Sequence, residues 1–386
     1  MCGICGELRF DGQAPDKTAL TRMTDTLARR GPDGSGQYIS GPVAFGHRRL
    51  AVIDLSERSA QPMVDSTLGL VLVFNGTIYN YPELRERLRA KGYSFFSDGD
   101  SEVILKAWAE WGEDCPQYLR GMFAFAIWDA GKQRLFLARD RFGIKPLYYS
   151  ITSRGVRFAS TSQALLAAGD VDDSVDPVAL HHHLSLHAVV PAPRTLLRGL
   201  RKLRPGYSLG FSVHGKNEQK RYWQLPASPC HEKMNEWEWI EATHEALKRA
   251  VEKRRAIADV PVGILLSGGL DSSLLVALLA EAGDSNMMTF SVGFEDQPEE
   301  KGHEFDYSDL VADLYGTRHQ RFIIPNQEVL ARLPEAVDNM AEPMVGQDAV
   351  AFYLLGERVS REVKVVQSGQ GADEVFGGYF WYQQMQ

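Results

Sequence analysis

The residues Ser267-Gly268-Gly269-Leu270-Asp271-Ser272-Ser273 follow one apolar stretch, Val260–Leu266, and precede another, Ser273–Ala282. The first stretch is typical of a buried strand and the second has helical spacing, so the sequence predicts a strand, a glycine loop and a helix. Glycines let backbone N–H groups approach an anion, and the helix N-terminus adds partial positive charge. We therefore predict a phosphate-binding loop, and since no Gly-Lys-Ser/Thr follows, it is not of the Walker A type.

Asp271 lies inside this loop, where a carboxylate would face phosphate unless a cation lay between them, so we predict a Mg²⁺ ligand. A second glycine loop, Ser368-Gly369-Gln370-Gly371-Ala372-Asp373-Glu374, follows an apolar stretch. Ligands of open α/β sheets gather at the carboxyl ends of the strands. Both loops are therefore expected to border one crevice, with Asp373 as a second metal ligand. The alternatives are a serine-capped helix after a tight turn for the first loop and a helix-capping acidic pair for the second.

The C-terminal half alternates strands and helices from residue 236 onward. This order is typical of an α/β domain with a doubly wound parallel sheet, which we assign to residues 236–386. Besides the elements that flank the first glycine loop, the predicted strands are Met287–Gly293, His319–Ile324 and Val363–Gln367, and a helix is predicted near Tyr307–Tyr315.

The N-terminal half, residues 1–210, is rich in short strands separated by turn residues, which predicts an α+β domain. Leu225–Asn235 is polar and irregular, so we place the domain boundary there and predict a linker over 211–235. The predicted strands are Val43–Phe45, Leu70–Phe74, Ala124–Trp128, Arg134–Ala138, Leu147–Ser150 and Val156–Ala159, and the predicted helices are Lys17–Arg30, Tyr81–Lys91 and Ser101–Trp111.

Cys2 lies one residue from the N-terminus, so removal of Met1 would join a thiol and an α-amine in one residue. A terminal amine has a pKa of roughly 8 and can take the thiol proton near neutral pH. The resulting thiolate is the species that attacks carbonyl groups. The position therefore predicts an N-terminal nucleophile, and the alternative is an incidental cysteine.

The 386-residue chain is 44% hydrophobic and 24% charged, as in a globular protein of two or three domains. A net charge of −8 argues against binding to nucleic acid or anionic membranes, because phosphate affinity depends on an excess of Lys and Arg. The chain shows neither a leader pattern nor an apolar run that could span a bilayer. A reactive thiol and too few cysteines for a disulfide framework predict a cytoplasmic protein. The cysteines are Cys2, Cys5, Cys115 and Cys230.

Together with Cys2 and the two glycine loops, a series of ordered blocks resembles the asparagine-synthetase type of glutamine-dependent amidotransferase over nearly the whole chain. The resemblance implies an N-terminal-nucleophile αββα sandwich followed by an ATP-pyrophosphatase domain. Family members continue well beyond Gln386, so we expect the second domain to be incomplete at its C-terminus. The blocks are Met1–Gly6, Arg30–Gly34, Gly46–Leu50, Phe74–Gly76, Gly121–Phe125 and Arg139–Tyr148.

The resemblance also implies roles for individual residues. Cys2 would attack the glutamine side-chain amide, and Asn75 and Gly76 would form the oxyanion hole, one through its side-chain amide and the other through its backbone N–H. Arg49 would bind the glutamine carboxylate and Asp100 the glutamine ammonium. The implied second site binds ATP and Mg²⁺, with Asp271 and Asp373 as metal ligands. The implied ATP-binding residues are Leu266, Ser267, Gly268, Gly269, Asp271, Ser272, Val292, Ser368 and Gly369.

Two residues depart from the asparagine synthetases that the chain resembles. Thr77 replaces the Glu that usually follows Asn-Gly, which leaves Asp100 to bind the glutamine ammonium and predicts weaker glutamine binding. Gln370 replaces a Glu that helps those enzymes handle the acceptor and its adenylate. The second change puts aspartate as the substrate in doubt.

Three further stretches look most like a bacterial subgroup that amidates N-acetylglutaminylglutamine in osmolyte synthesis. They are Ala179–Leu184, His187–Thr195 and Gly371–Tyr382. We therefore expect glutamine, ATP and this carboxylate acceptor as partners, and a homodimer is compatible with the sequence. The alternatives are asparagine synthesis from aspartate, a non-catalytic nucleotide or glutamine sensor, and a bare glutaminase with a decayed second domain.

Overall fold

The structure, a computed structural model, describes residues 1–226, 233–296, 303, 305–344 and 348–385. The chain divides into two compact units. The first comprises Met1–Ser228 and Met340–Val345, and the second comprises Pro229–Asn339 and Gly346–Gln386. Cys230 and the rest of 227–232, within the predicted linker, lie outside the described residues.

The first unit contains two antiparallel sheets of six strands each within the described residues. The strand order is β10-β8-β9-β1-β3-β2 in one sheet and β12-β11-β7-β6-β5-β4 in the other. The strands are β1 Gly3–Arg9, β2 Gly34–Ser40, β3 Val43–Arg49, β4 Met63–Asp65, β5 Leu70–Ile78, β6 Gly121–Asp129, β7 Arg134–Arg139, β8 Tyr148–Ile151, β9 Gly155–Ala159, β10 Arg201–Lys202, β11 Tyr207–Ser212 and β12 Asn217–Arg221.

Helices cover the outer faces of both sheets. The side chain of Asp16 caps the first helix by accepting hydrogen bonds from the N–H groups of Thr18 and Ala19, as expected for an N-cap residue. The helices are α1 Lys17–Thr26, α2 Tyr81–Arg89, α3 Asp100–Trp111, α4 Cys115–Tyr118, α5 Ser162–Ala168 and α6 Pro177–Ser185, with 3₁₀ turns at Ala28–Arg30, Glu57–Ser59 and Gly112–Asp114.

Alternation along the strands builds three apolar layers. On β5, Val71 and Val73 pack between the two sheets, whereas Leu72 and Phe74 pack against α2 and α3. The other sheet packs its outer face on α1 and α5. Side chains of a strand alternate between its faces, so each sheet supplies one face to the central layer and one to its helices. The predicted αββα sandwich is confirmed.

The strands β11 and β12 belong to the sheet that contains β5, and they extend the first domain further along the chain than the sequence indicates. Tyr207 pairs with Arg221 and Phe211 with Asn217, in an antiparallel hairpin at the sheet edge. Residues 211–221 are therefore part of the sandwich, and the linker prediction is wrong for them. β12 is exposed and strongly polar, so it lacks the apolar alternation that identifies a strand.

The second unit contains a parallel four-stranded sheet within the described residues, in the order β15-β14-β13-β16. Helices α7, α8 and α9 cover one face, and α10 and α11 pack on the other, so the doubly wound prediction is confirmed. The elements are α7 Glu236–Ala256, β13 Val262–Leu265, α8 Leu270–Glu281, β14 Met288–Phe294, α9 Phe305–Tyr315, β15 Arg318–Ile324, α10 Asn326–Asn339, α11 Asp348–Val359, β16 Val365–Gln367 and α12 Ala372–Phe376, with a 3₁₀ turn at Phe380–Met385. In neither unit does a helix of the described ranges have the length and apolar composition needed to cross a membrane.

Candidate active sites

Cys2 lies just before β1 and is half-buried. Its Sγ accepts a hydrogen bond from the Leu50 N–H at 3.4 Å and lies 3.6 Å from the Leu50 carbonyl oxygen. Arg30 Nε donates to the Cys2 carbonyl oxygen at 3.1 Å, which holds the main chain at this point. Ile4, two residues further along on β1, packs between the two sheets.

The surroundings of Cys2 oppose ionisation of the thiol and protonation of an amine. Burial raises the pKa of the Cys2 thiol. The hydrogen bond from the Leu50 N–H and the positive charges of the N-terminus and Arg49 lower this pKa, but by less than burial raises it. Burial also lowers the pKa of the Met1 α-ammonium to about 6. The Met1 amine is therefore mostly neutral near pH 7, and the Cys2 thiol beside it is protonated.

Asn75 lies on β5 with the parity of Val73, so it faces the central layer. Its side chain is fully buried, and neither Nδ2 nor Oδ1 has a hydrogen-bond partner among the residues that the structure describes. A Cβ added to the next residue, Gly76, would lie 2.2 Å from the Met122 carbonyl oxygen. The pair therefore combines an uncommitted amide donor with a position where only glycine fits.

Asp100 is the first residue of α3 and is buried. Its Oδ2 accepts a hydrogen bond from the Ile78 N–H at 3.0 Å, two residues beyond Gly76 on β5. Burial raises the pKa of Asp100 to about 6, because the hydrogen bonds that it accepts do not replace lost hydration. A cationic ligand such as an ammonium group would favour its ionised form.

Arg49 follows His47 and Arg48 at the end of β3. Its NH1 donates to the Ser56 carbonyl oxygen at 2.9 Å, and its NH2 donates to the Asp54 carbonyl oxygen. The guanidinium is thus fixed by main-chain acceptors and keeps further N–H donors. A fixed guanidinium can bind a carboxylate, and this one lies close enough to Cys2 to influence the thiol electrostatically.

Two cations near Cys2 were not predicted as site residues, Arg30 and Lys145. Burial lowers the pKa of Lys145 to about 8, and its Nζ lies 3.0 Å from the Met1 Sδ. Asp140 fixes the loop that carries Lys145 by accepting hydrogen bonds from the N–H groups of Ile144 and Lys145, at 3.0 and 2.9 Å. Both cations fall in the ordered blocks Arg30–Gly34 and Arg139–Tyr148, which is the signal that could have identified them.

The first glycine loop connects β13 to α8, as predicted. Gly268 has φ of +88°, and a Cβ there would lie 2.6 Å from the Ser308 nitrogen, so the position requires glycine. The loop is braced by its own hydroxyl groups: Ser272 Oγ accepts from the Ser267 N–H at 3.2 Å, and Ser273 Oγ donates to the Gly269 carbonyl oxygen at 2.7 Å. Backbone N–H groups at the start of α8 therefore border an exposed turn.

The two glycine loops lie side by side, as expected from the parallel pairing of β13 with β16. A Cβ added at Gly369 would lie 2.9 Å from the Asp271 Cβ. Ser368 and Gln370 are exposed at this edge. The remaining predicted ATP-binding residues, Leu266 and Val292, are respectively buried after β13 and half-buried on β14.

The donor set at this edge suits Mg²⁺ in part. Asp271 would supply hard carboxylate oxygens, whereas Asp373 Oδ1 lies against Gly378, 2.1 Å from where a Cβ of that residue would be. The described residues contain no group of three or more His, Cys, Asp or Glu side chains that could hold a metal ion alone. Magnesium is usually bound by one or two carboxylates together with substrate phosphates and water. The site therefore fits a magnesium ion that arrives with a phosphorylated substrate.

Comparison with known proteins agrees with both halves of this description. Residues 1–223 match the family model for the glutamine amidotransferase domain, and residues 242–386 match the model for asparagine synthase. These matches show that the chain belongs to the asparagine-synthetase type of class II glutamine amidotransferases.

Individual relatives are similar over nearly all of this chain. Glutamine-hydrolysing asparagine synthetases 3 and 1 of Bacillus subtilis are 35% and 37% identical over 99% and 100% of the chain. A Penicillium rubens protein named amidase chyE is 30% identical over 98% of the chain. The chain spans 64%, 60% and 59% of the length of these three relatives, respectively.

Proposed function

We propose that the chain hydrolyses glutamine at Cys2 and that the ammonia amidates a carboxylate activated by ATP. The observation that carries the proposal is the buried Asn75 amide, whose atoms have no partner in the described structure. A buried donor left unbonded costs about 1–3 kcal/mol, which is worthwhile where a developing oxyanion will occupy it. Asp100 on the adjoining helix α3 supplies the charge for an amino acid ammonium.

In the proposed glutaminase step, the α-amine exposed by removal of Met1 takes the Cys2 thiol proton. The thiolate attacks the glutamine amide carbon, and Asn75 and Gly76 donate hydrogen bonds to the oxyanion. The C–N bond then breaks, the leaving nitrogen receives the proton, and a γ-glutamyl thioester remains. Water hydrolyses the thioester to glutamate and restores the thiol. Such a thiol suits the reducing cytoplasm.

In the proposed second step, an acceptor carboxylate oxygen attacks the α-phosphate of ATP and pyrophosphate leaves. The N–H groups at the start of α8 and the Ser267 and Ser272 hydroxyls bind phosphate oxygens. A magnesium ion held by Asp271 and Asp373 would neutralise charge on the pyrophosphate. Ammonia then attacks the acyl carbon, and AMP departs to leave an amide.

The acceptor that we propose first is N-acetylglutaminylglutamine. Gln370 is a neutral side chain at the exposed edge beside the glycine loops, where the asparagine synthetases carry a carboxylate. Loss of that carboxylate removes a partner for the aspartate ammonium, whereas an acetylated dipeptide has no free amine. Aspartate is the second candidate, because the two Bacillus subtilis relatives are named asparagine synthetases.

Glutamate release from glutamine tests the first step. We expect the wild-type chain to release glutamate and Cys2→Ala to release none, with Cys115→Ala as the control because Cys115 is a free thiol buried away from β1. If Cys2→Ala also lost an ammonia-driven reaction that the wild type performs, the division into two half-reactions would be wrong. A wild-type chain that binds glutamine without releasing glutamate would be a sensor.

Release of AMP and pyrophosphate tests the second step, with glutamine, Mg-ATP and either acceptor. We expect turnover with N-acetylglutaminylglutamine and none with aspartate, and Gln370→Glu should shift the preference toward aspartate. Turnover with aspartate alone would make the chain an asparagine synthetase. Glutamate release without AMP in either mixture would leave a bare glutaminase.

A further inference from the structure

The strand that carries Asn75, β5, pairs with β6 through the site, but its pairing with β4 on the other side ends just before it. β4 begins at Met63, which pairs with Leu72, so Phe74 on β5 lies beyond the end of this pairing. Two side chains bind its main chain instead: Gln61 Oε1 accepts from the Phe74 N–H at 2.6 Å, and His47 Nε2 lies 3.3 Å from the Phe74 carbonyl oxygen. Side chains thus replace the missing ladder at this one residue.

The His47 contact acts on the peptide group that leads into the oxyanion hole, and the Gln61 contact acts on the peptide group before it. The Phe74 carbonyl and the Asn75 N–H belong to one planar unit, so holding the carbonyl oxygen also fixes the orientation of the Asn75 backbone. The Asn75 side-chain amide has no hydrogen-bond partner among the described residues, so no hydrogen bond of its own fixes its direction. Its direction depends on the main chain and on packing.

Gln61 also reaches the other half of the glutamine site. Its Nε2 donates to Ser101 Oγ at 3.2 Å, and Ser101 follows Asp100 at the start of α3. Gln61 and Ser101 are both buried. One amide therefore ties the oxyanion strand to the helix that presents the candidate ammonium-binding carboxylate.

The chemistry of His47 fits a fixed donor. Burial lowers the pKa of His47 to about 3, and the nearby positive charge of Arg49 contributes in the same direction, so the ring is neutral under physiological conditions. A carbonyl oxygen only accepts hydrogen bonds, so the bond to Phe74 places the single ring proton on Nε2. Nδ1 is then unprotonated, and it has no partner in the part of the chain that the structure describes.

We propose that Gln61 and His47 are positioning residues for glutamine hydrolysis, because together they hold both main-chain groups of Phe74. His47 holds the Phe74–Asn75 peptide through its carbonyl oxygen, and Gln61 holds the preceding Val73–Phe74 peptide through its N–H and links it to α3. This proposal rests on the proposed glutaminase function. Neither side chain touches the reacting atoms in this scheme, and both act through Asn75. Small displacements of preorganised donors lower turnover, because the donors must meet the oxyanion rather than the ground-state carbonyl.

The test compares Gln61→Met, which keeps the side-chain length and removes both hydrogen bonds, with Trp108→Phe. Like Gln61, Trp108 is buried, and it lies on α3. Its Nε1 donates to Asp129 Oδ2 at 2.9 Å, so Trp108→Phe loses a buried hydrogen bond outside the site. We expect Gln61→Met to lower kcat for glutamine by about 10- to 100-fold with little change in KM. Trp108→Phe should lower the melting temperature and leave kcat within about twofold of the wild type.

Double variants separate a positioning role from a general loss of stability. In an Asn75→Ala background, Gln61→Met should have no further effect on kcat, whereas independent effects would multiply. A second pair, His47→Leu and His47→Gln, covers the case in which Gln61→Met does not fold. His47→Leu should lower kcat, and His47→Gln, which retains an N–H donor, should restore most of it.

The outcomes distinguish this proposal from the function on which it rests. A wild-type chain that releases no glutamate overturns both. Glutamate release by the wild type with an unchanged kcat in Gln61→Met, or with effects that multiply in the Asn75→Ala background, overturns the positioning role and leaves the glutaminase intact. Equal kcat values for His47→Leu and His47→Gln would likewise exclude His47 as the donor that holds Phe74.

Discussion

The two candidate sites are built from different parts of the chain. The glutaminase site uses side chains in the interior of a sandwich, where Asn75 is 0% and Asp100 is 5% exposed. The nucleotide site uses backbone loops at a sheet edge, where Ser267, Ser368 and Gln370 are exposed. The buried site changes the pKa values of its groups by excluding water. The exposed site offers backbone N–H groups to a charged anion.

This difference indicates what each site requires. Burial in the first site shifts pKa values: it raises the pKa of the Cys2 thiol and lowers the pKa of the Met1 α-ammonium. Phosphate binding would instead require close approach of the main chain, which two positions without a Cβ would allow: Gly268, with its positive φ, and Gly369, beside Asp271. Substitutions should therefore affect chemistry in the first site and ligand approach in the second.

The largest expected effect comes from the unbonded amide. Asn75→Ala should lower kcat for glutamine by about 10²- to 10³-fold, as is typical for loss of one oxyanion donor, with little loss of stability because no hydrogen bond is broken. The matched control is Asn80→Ala, since Asn80 donates to the Tyr118 carbonyl oxygen at 3.0 Å and accepts from the Arg120 N–H at 2.8 Å. That variant should lose stability and keep its kcat. Equal kcat values for the two variants would exclude Asn75 from the oxyanion hole.

The next effect concerns the contact between the glycine loops. In Gly369→Ala the new Cβ would lie 2.9 Å from the Asp271 Cβ, so one loop must shift. Overpacking of this kind costs about 1–3 kcal/mol, and we expect Mg-ATP to bind about 30-fold more weakly by calorimetry while glutamate release is unchanged. Gly356→Ala is the control, because nothing lies within 4 Å of its Cβ position on α11. Loss of glutamate release in Gly369→Ala would contradict the separation of the two sites.

Local patterns predicted the elements on which these sites depend. The strand, glycine loop and helix at Gly268 are contiguous in sequence, and their order alone indicates a parallel sheet with loops at one edge. Strand β1, Gly3–Arg9, was not predicted, because its two glycines and Glu7 lower its β-propensity, and pairing with β3 and β9 overrides that preference. Helix α7 was also missed, although the capping box of Asn235 and Glu238 marks its start.

The surroundings of single groups could not be predicted from pattern. Nothing local to Asn75 indicates that its amide lacks a partner, because this depends on how β5 meets the strands of the other sheet. The contacts of Gln61 with Phe74 and Ser101 join segments 13 and 40 residues apart along the chain. Such contacts follow from the closed sandwich, so the resemblance to a family identified the candidate residues without indicating what positions them.

Burial of the Asp100 carboxylate should also lower the stability of the chain at neutral pH. Asp100 has a folded-state pKa of about 6, above its ordinary 3.8, so its ionised form destabilises the fold at pH 7. Asp100→Asn should raise the free energy of unfolding by about 2 kcal/mol at pH 7, and the gain should fade as the pH falls from 6 to about 4. Asp98→Asn is the control, because Asp98 is exposed and pairs with Arg58 on the surface. A gain that does not depend on pH would show that removal of the charge is not its cause.

The smallest effect is a change in slope of the pH profile. Glutamine binding requires ionised Asp100, whose pKa is raised by burial to about 6. The nucleophile requires a neutral α-amine, and we expect the Cys2 amine to protonate in the same range, because burial at this terminus lowers the pKa of the Met1 α-ammonium to about 6. Below that pH, log kcat/KM should approach a slope of two, and Asp100→Asn, which activity assays at high enzyme concentration can still follow, should have a slope of one. The wild-type kcat at saturating glutamine should also have a slope of one, because the bound ammonium keeps Asp100 ionised. A slope of one in kcat/KM for both proteins would mean that the buried carboxylate does not bind the glutamine ammonium.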